Sequence, residues 1–167
     1  EILDIASEYG AQNIYRPNSI SGNEATSESG WQHAVEIIQQ EYKLDLVIAP
    51  QVTSPLREVK DIDNAVELFN AGKFDSVFSA SMADDLFFWQ HQDTFLNSIN
   101  YDYKNRKRRQ DIQKQIIENG SFYLFKPEVL QVHNNRFGSK IGFSKMDFWK
   151  MFEIDNMQDF RMCSALM

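Results

Sequence analysis

Glu153 and Asp155 are two residues apart, so in an extended segment their carboxylates face the same side of the chain. Like charges held that close are costly unless a cation neutralises them. Mg²⁺ binds through one or two carboxylates together with waters and substrate phosphates, so the pair is a candidate metal site, where an ion would neutralise phosphate charge and orient a triphosphate for in-line attack. The same residues have a plainer use: Asp155 caps a helix starting near Asn156, with Gln158 closing a capping box. The two uses are compatible. A second constellation is Gln51-Val52-Thr53-Ser54-Pro55-Leu56-Arg57, which gathers an amide, two hydroxyls and a guanidinium fit for a ligand bearing hydroxyls and a carboxylate. Its plainer reading makes Ser54 the cap of the next helix, with Pro55 in the first turn. The third is the basic run Lys104 to Arg109, which reads either as a nucleic-acid or localisation segment or as the positive groups an acidic protein needs beside an anionic substrate. His33, His91 and His133 show no metal-ligand spacing with one another or with Cys163, and no Ser-His-Asp arrangement emerges.

Elements able to position these groups follow from periodicity. Trp31, Ala34, Val35 and Ile38 recur at helical spacing and predict an amphipathic helix over 27–42. Ile62, Ala65, Val66 and Phe69 predict a second helix, ended by Gly72. Between them, Leu44 to Ala49 is a short apolar run without alternation, as expected of a strand buried on both faces. Ser76–Ala80, Ser121–Phe125 and Ile141–Met146 complete a strand set spaced by helices, which predicts an α/β sandwich with a largely parallel sheet. Ligands of such sheets bind beyond the carboxyl ends of the strands, which directs attention to the loops after Ala49 and Ala80. Residues 84–118 break the alternation: the aromatics Phe87, Phe88, Trp89 and Phe95 precede Tyr101, Tyr103 and the basic run, predicting a dimerisation or active-site arm.

Composition narrows the function further. The 167 residues suit one domain, and 43% of them are apolar, enough for a core without staples. Seventeen basic against 24 acidic residues give a net charge of −7, which disfavours a nucleic-acid or anionic-membrane surface. A lone cysteine, Cys163, forms no internal disulfide and suits a reducing compartment such as the cytoplasm. No apolar run approaches the roughly 18 residues of a membrane helix.

Gln51 to Arg57 resembles the Q-P-T-S-P-L-R signature of the N-acylneuraminate cytidylyltransferases (CMP-sialic acid synthetases), with Val52 in place of the usual proline. Arg16-Pro17 followed by Gly22 to Ser27, Arg109-Gln110, Asn119-Gly120-Ser121-Phe122-Tyr123 (usually N-G-A-I-Y) and Glu153-Ile154-Asp155 match the family in the same order. The resemblance implies a Rossmann-like α/β fold of the nucleotide-diphospho-sugar transferase type. It implies Mg²⁺-dependent attack by the anomeric hydroxyl of an acidic nine-carbon sugar on the α-phosphate of CTP, with release of pyrophosphate. By position, Arg16, the backbone at Ala25 and Ser27 would hold the nucleotide. Gln51, Arg109, Asn119, Tyr123 and Phe137 would hold the acid sugar, and Glu153 and Asp155 the metal. Each also has a structural reading: an extended turn at Arg16-Pro17, a helix N-cap at Ser27, ordinary core at Tyr123 and Phe137. The family implies a cytoplasmic homodimer supplying activated sugar for surface polysaccharides. The family's lysine after the Ser76–Ala80 strand is replaced here by Phe87-Phe88-Trp89. The chain also opens on a helical pattern rather than on the family's first strand and Gly-rich phosphate loop, so the expectation is an N-terminally truncated, inactive fragment spanning 1–167. The competing expectations are a non-catalytic sugar- or partner-binding fragment and a glycosyltransferase using a nucleotide sugar.

Overall fold

The computed structural model describes residues 2–167. Its centre is β5 (Ile116–Phe125), whose last residues alternate between two cores. Tyr123 and Phe125 point into one, with Val35, Ala49, Val129 and Leu130. Phe122 and Leu124 point into the other, with Ala65, Phe69, Val77 and Met146. A strand covered on both faces has no place for polar side chains, which is why Phe122-Tyr123-Leu124-Phe125 is uniformly apolar or aromatic. Each such side chain contributes about 1.5–3 kcal/mol by leaving water.

Helices α2 (Ser27–Ile38) and α4 (Pro127–His133) cover the first face, and α3 (Val59–Asn70) the second. Both longer helices carry the stripe expected of them. Helix α2 is shorter than its pattern: the chain from Gln39 to Tyr42 continues only as turns onto Val35, Ile37 and Ile38. Helix α3 stops where Gly72 takes φ +77°, a conformation that costs glycine little. Short α1 (Ile2–Glu8) and terminal α5 (Met157–Leu166) complete the helices. No helix among the described residues is long and apolar enough to cross a membrane.

The sheet runs in the order β1 (Val47–Pro50), β5, β2 (Ser76–Met82), β6 (Ile141–Lys145). Helices on both faces bear out the α/β class. The expected largely parallel sheet needs correction: β1, β2 and β6 share one direction, but β5 runs against them and lies between β1 and β2. Among the described residues only β2 and β6 therefore pair in parallel. Strand β1 is also not buried on both faces. It lies at the sheet's end with Ile48 41% exposed, and the apolar residues before it are spent elsewhere, Leu44 on one core and Leu46 on the other.

The aromatic segment is a separate hairpin, β3 (Trp89–Gln92) and β4 (Phe95–Ser98), turned by Asp93 at φ +54°. Trp89 packs on Tyr101 and Tyr103, and Phe87 on Tyr101. Asn100 seals the base: its Nδ2 donates to the Leu86 carbonyl and Gln115 Oε1, and its Oδ1 accepts from Phe88 N–H. The arm ends earlier than 118, since Ile116 already pairs with Met82 in the central sheet.

Candidate active site

The site forms where β1 ends, because β5 bulges there. Phe78 faces Tyr123 while Ala80 faces Glu118, so a short advance along β2 is matched by a much longer one along β5. The excess folds at Asn119-Gly120-Ser121, with Gly120 at φ +68°. Ser79 Oγ accepts the Phe122 N–H that the bulge removes from the ladder. The Ser121 carbonyl accepts from the N–H of Gln51, the first residue after β1. The bulge and the Gln51–Arg57 loop are thus one structure.

Arg57 organises that loop. Its Nη1 donates to the carbonyls of Gln51 and Ser54, each at 2.7 Å, and of Ser121 at 3.4 Å. Burial lowers its pKa. Part of the guanidinium expected to meet an anionic ligand is therefore spent on the loop's backbone. Nor does Ser54 cap α3: Glu58 occupies the cap, its N–H donating to Asp61 Oδ2 at 2.8 Å. The Ser54 and Ser121 hydroxyls are buried without a hydrogen-bond partner among the described residues. The Gln51 side chain is exposed at the loop's mouth.

The acidic segment closes on the same loop. Ile154 donates its N–H to the Thr53 carbonyl at 2.8 Å, and Glu153 Oε2 lies 3.9 Å from where a Cβ on Gly120 would stand. Asp155 is exposed and Glu153 half-buried. The cap of α5 is Asn156, whose side chain accepts from Gln158 and Asp159 N–H, and Asp159 rather than Gln158 closes the box. That leaves the Asp155 carboxylate outside the cap. Two hard oxygen donors on one open segment suit Mg²⁺, which keeps positions for water and phosphate. Among the described residues no group of three or more His, Cys, Asp or Glu forms a closed cage.

Asn119, Tyr123 and Phe137 are less free than their assigned roles ask. Asn119 is buried, its Nδ2 donating to Ser81 Oγ and Met146 Sδ and its Oδ1 accepting from Ser121 N–H. It shapes the bulge from inside. Tyr123 donates to Glu118 Oε1 at 2.6 Å; burial, and then that carboxylate, push its pKa up to about 12. Phe137 stands edge-on to Tyr123 and to Phe78.

The nucleotide candidates sit on and before α2, which joins this group through stacking. Trp31 packs on Tyr123 and Phe125, and the Arg136 guanidinium lies 4.7 Å from the Trp31 ring and 4.4 Å from the Tyr123 ring. Arg136 Nε donates to Glu28 Oε1 at 2.8 Å. Burial alone would raise Glu28, but the bond from Arg136 and the other hydrogen bonds outweigh it and hold the carboxyl below its usual range. Arg16 is exposed and packs near Gly30 of α2. The Ala25 N–H is spent on the Gly22 carbonyl, and Ser27 is exposed in the first turn, one residue past the true cap, Thr26. Arg109 stands apart: its Nε pairs with Asp85 at 2.9 Å on the arm side. The structure thus brings Gln51, Asn119, Tyr123, Phe137 and Glu153 into one region and links α2 to it.

Sequence reasoning missed Arg136, Glu28, Glu118 and Lys150. Lys150 alone carried a signal, a cation inside the otherwise apolar run Phe148 to Phe152.

Comparison with known proteins agrees with the motifs. No family model matches the chain. It is 32% identical over 78% of its length to N-acylneuraminate cytidylyltransferase A of Danio rerio and 30% identical over 75% to N-acylneuraminate cytidylyltransferase of Oncorhynchus mykiss. It spans 30% and 29% of those two proteins. Post-translational flagellin modification protein B of Campylobacter coli is 25% identical over 99% of the chain, the match spanning 72% of that protein. Among solved structures, 4-diphosphocytidyl-2C-methyl-D-erythritol synthase of Anaerococcus prevotii superposes with TM-score 0.64 over 99% of this chain and 74% of that one, at 12% identity. That likeness shows the fold alone, a Rossmann-like α/β architecture.

Proposed function

We propose that this chain is part of a cytidylyltransferase that transfers CMP from CTP to the anomeric hydroxyl of N-acylneuraminate or a related nonulosonic acid, releasing pyrophosphate. The observation that carries the proposal is the meeting of the Gln51–Arg57 loop, the Asn119–Tyr123 bulge and the Glu153–Asp155 segment at the end of β1. These three motifs lie far apart in sequence and are among the five that resemble the cytidylyltransferases.

In this reading Gln51 meets the acid sugar at the loop's mouth, while Tyr123 and Phe137 form an apolar wall. Asn119 acts from inside by holding the bulge, and Arg109 approaches from the arm. Arg16, the Ala25 carbonyl and Ser27 meet the nucleotide along α2. Glu153 and Asp155 would hold Mg²⁺, which when bound neutralises phosphate charge. The sugar's hydroxyl oxygen forms the new bond to the α-phosphorus as the bond to the pyrophosphate oxygen breaks, and the hydroxyl proton passes to solvent. Two chain copies would pack through the arm, and the reaction would be cytoplasmic.

The test is pyrophosphate release by the full-length protein, given CTP and a panel of acidic sugars. Release that requires both CTP and a nonulosonic acid is expected. Release without any acid sugar, or consumption of a preformed CMP-sugar, would replace the proposal with a hydrolase or a glycosyltransferase.

A further inference from the structure

Lys150 is 1% exposed, at the turn Phe148–Met151. Its Nζ donates to Asp61 at 2.8 and 3.1 Å and to Glu58. Burial disfavours its charge, yet the two carboxylates more than compensate and the ammonium is held more firmly protonated than usual. Glu58 and Asp61 open α3, directly behind the Gln51–Arg57 loop, and Glu153 follows Lys150 closely in the chain. A second tie between the two segments is the hydrogen bond from the Ile154 N–H to the Thr53 carbonyl.

We infer that Lys150 is a positioning residue: its ammonium, closed on Asp61 and Glu58, fixes Glu153 and Asp155 against the Gln51–Arg57 loop. The inference rests on the proposed metal role of those two carboxylates. Stability gives the cluster little reason to exist, because a buried ion pair is about neutral against an apolar group of the same volume. An apolar side chain would fill the space but impose no direction. The hydrogen bonds to two carboxylates at the start of α3 do, and the short turn carries that direction to the acidic segment. Groups that orient a metal's ligands typically matter about 10–100-fold for its affinity.

The experiment is a spin-resonance titration of Mn²⁺ in the full-length protein with CTP present. In the double variant Lys150→Met/Asp61→Asn no charge is stranded in the buried part of the cluster, and the introduced amide keeps an oxygen for the Glu58 N–H. It is expected to melt cooperatively and to bind Mn²⁺ about tenfold more weakly. A folded double variant with parental Mn²⁺ affinity overturns the inference. Glu58→Gln alters only the half-exposed limb of the cluster, and a weakening in the same direction is expected. Should the double variant not fold, unchanged Mn²⁺ affinity in Glu58→Gln is the overturning result. Asp155→Asn, measured alongside, separates the two levels. Unaltered Mn²⁺ binding there removes the metal role and the inference with it, whereas loss there without loss in the Lys150 variants removes Lys150 alone.

Discussion

The N–H of Ile154 meets the carbonyl of Thr53 at 2.8 Å, and that bond ties the acidic segment before the last helix to the loop after the first strand. On either side of Ile154 stand Glu153 and Asp155, and on either side of Thr53 the loop that Arg57 holds by its carbonyls. The proposed metal and sugar ends of the site are therefore adjacent in space although most of the chain separates them in sequence.

If Asp155 holds the metal, Asp155→Asn abolishes pyrophosphate release in the full-length enzyme without disturbing the fold, because Asn156 and Asp159 cap α5 without it. Circular dichroism and turnover at saturating Mg²⁺ check this. Undiminished turnover contradicts the assignment.

Gln51→Ala should raise the KM for acid sugar more than that for CTP. Its side chain is exposed and its backbone bonds survive the change, so the loss is one polar contact of about 0.5–1.5 kcal/mol. A KM shift confined to CTP assigns the residue to the other substrate.

Much of the fold is legible in the sequence. The stripes of α2 and α3 and the apolar run of β5 announce themselves, because burial on one or both faces leaves a periodic mark. The direction of β5 leaves none: a strand covered on both faces reads the same whichever way it runs. The bulge at Asn119–Ser121 is similarly silent, since it depends on β2 as much as on β5. Arg136 and Glu28 form their pair only after folding brings α2 to the segment beyond α4, far away in sequence. Glu153 and Asp155 are legible as a pair, whereas the cap of the following helix falls on Asn156, one position beyond the aspartate that the pattern suggests.

Tyr123 supplies a pH signature. Its pKa is raised to about 12, first by burial and then by its bond to Glu118. A group bound to its proton more tightly when folded stabilises the fold fully below its unfolded pKa, about 10, and loses that contribution as pH rises through the folded value. The stability difference between the parent and Tyr123→Phe should therefore change between about pH 10 and 12 and be constant below. Alkaline difference absorbance should show one tyrosine in the parent, missing in Tyr123→Phe, that ionises last. A Tyr123 that titrates with the exposed tyrosines removes the Glu118 bond from solution.

The hairpin exposes Phe95 at 75% and Leu96 at 53%, beside Trp89 and Phe88. Exposed apolar clusters of this kind mark interfaces, and symmetric dimers are the commonest assemblies. The Phe88 carbonyl and Ile99 N–H are already 2.9 Å apart, so a tight turn can replace 89–98 without opening the arm's base. Light scattering at micromolar concentration should show a dimer for the parent and a monomer for this variant. A monomeric parent, or a dimer that survives the replacement, contradicts the arm's role.

The most direct test of the account follows the attacking oxygen. The full-length protein is given CTP and an acidic nine-carbon sugar labelled with ¹⁸O at the anomeric hydroxyl, and the products are weighed by mass spectrometry. A CMP-sugar whose bridging oxygen carries the label is expected, with unlabelled pyrophosphate released beside it. A CMP-sugar without the label, or CMP formed with no sugar attached, would contradict it.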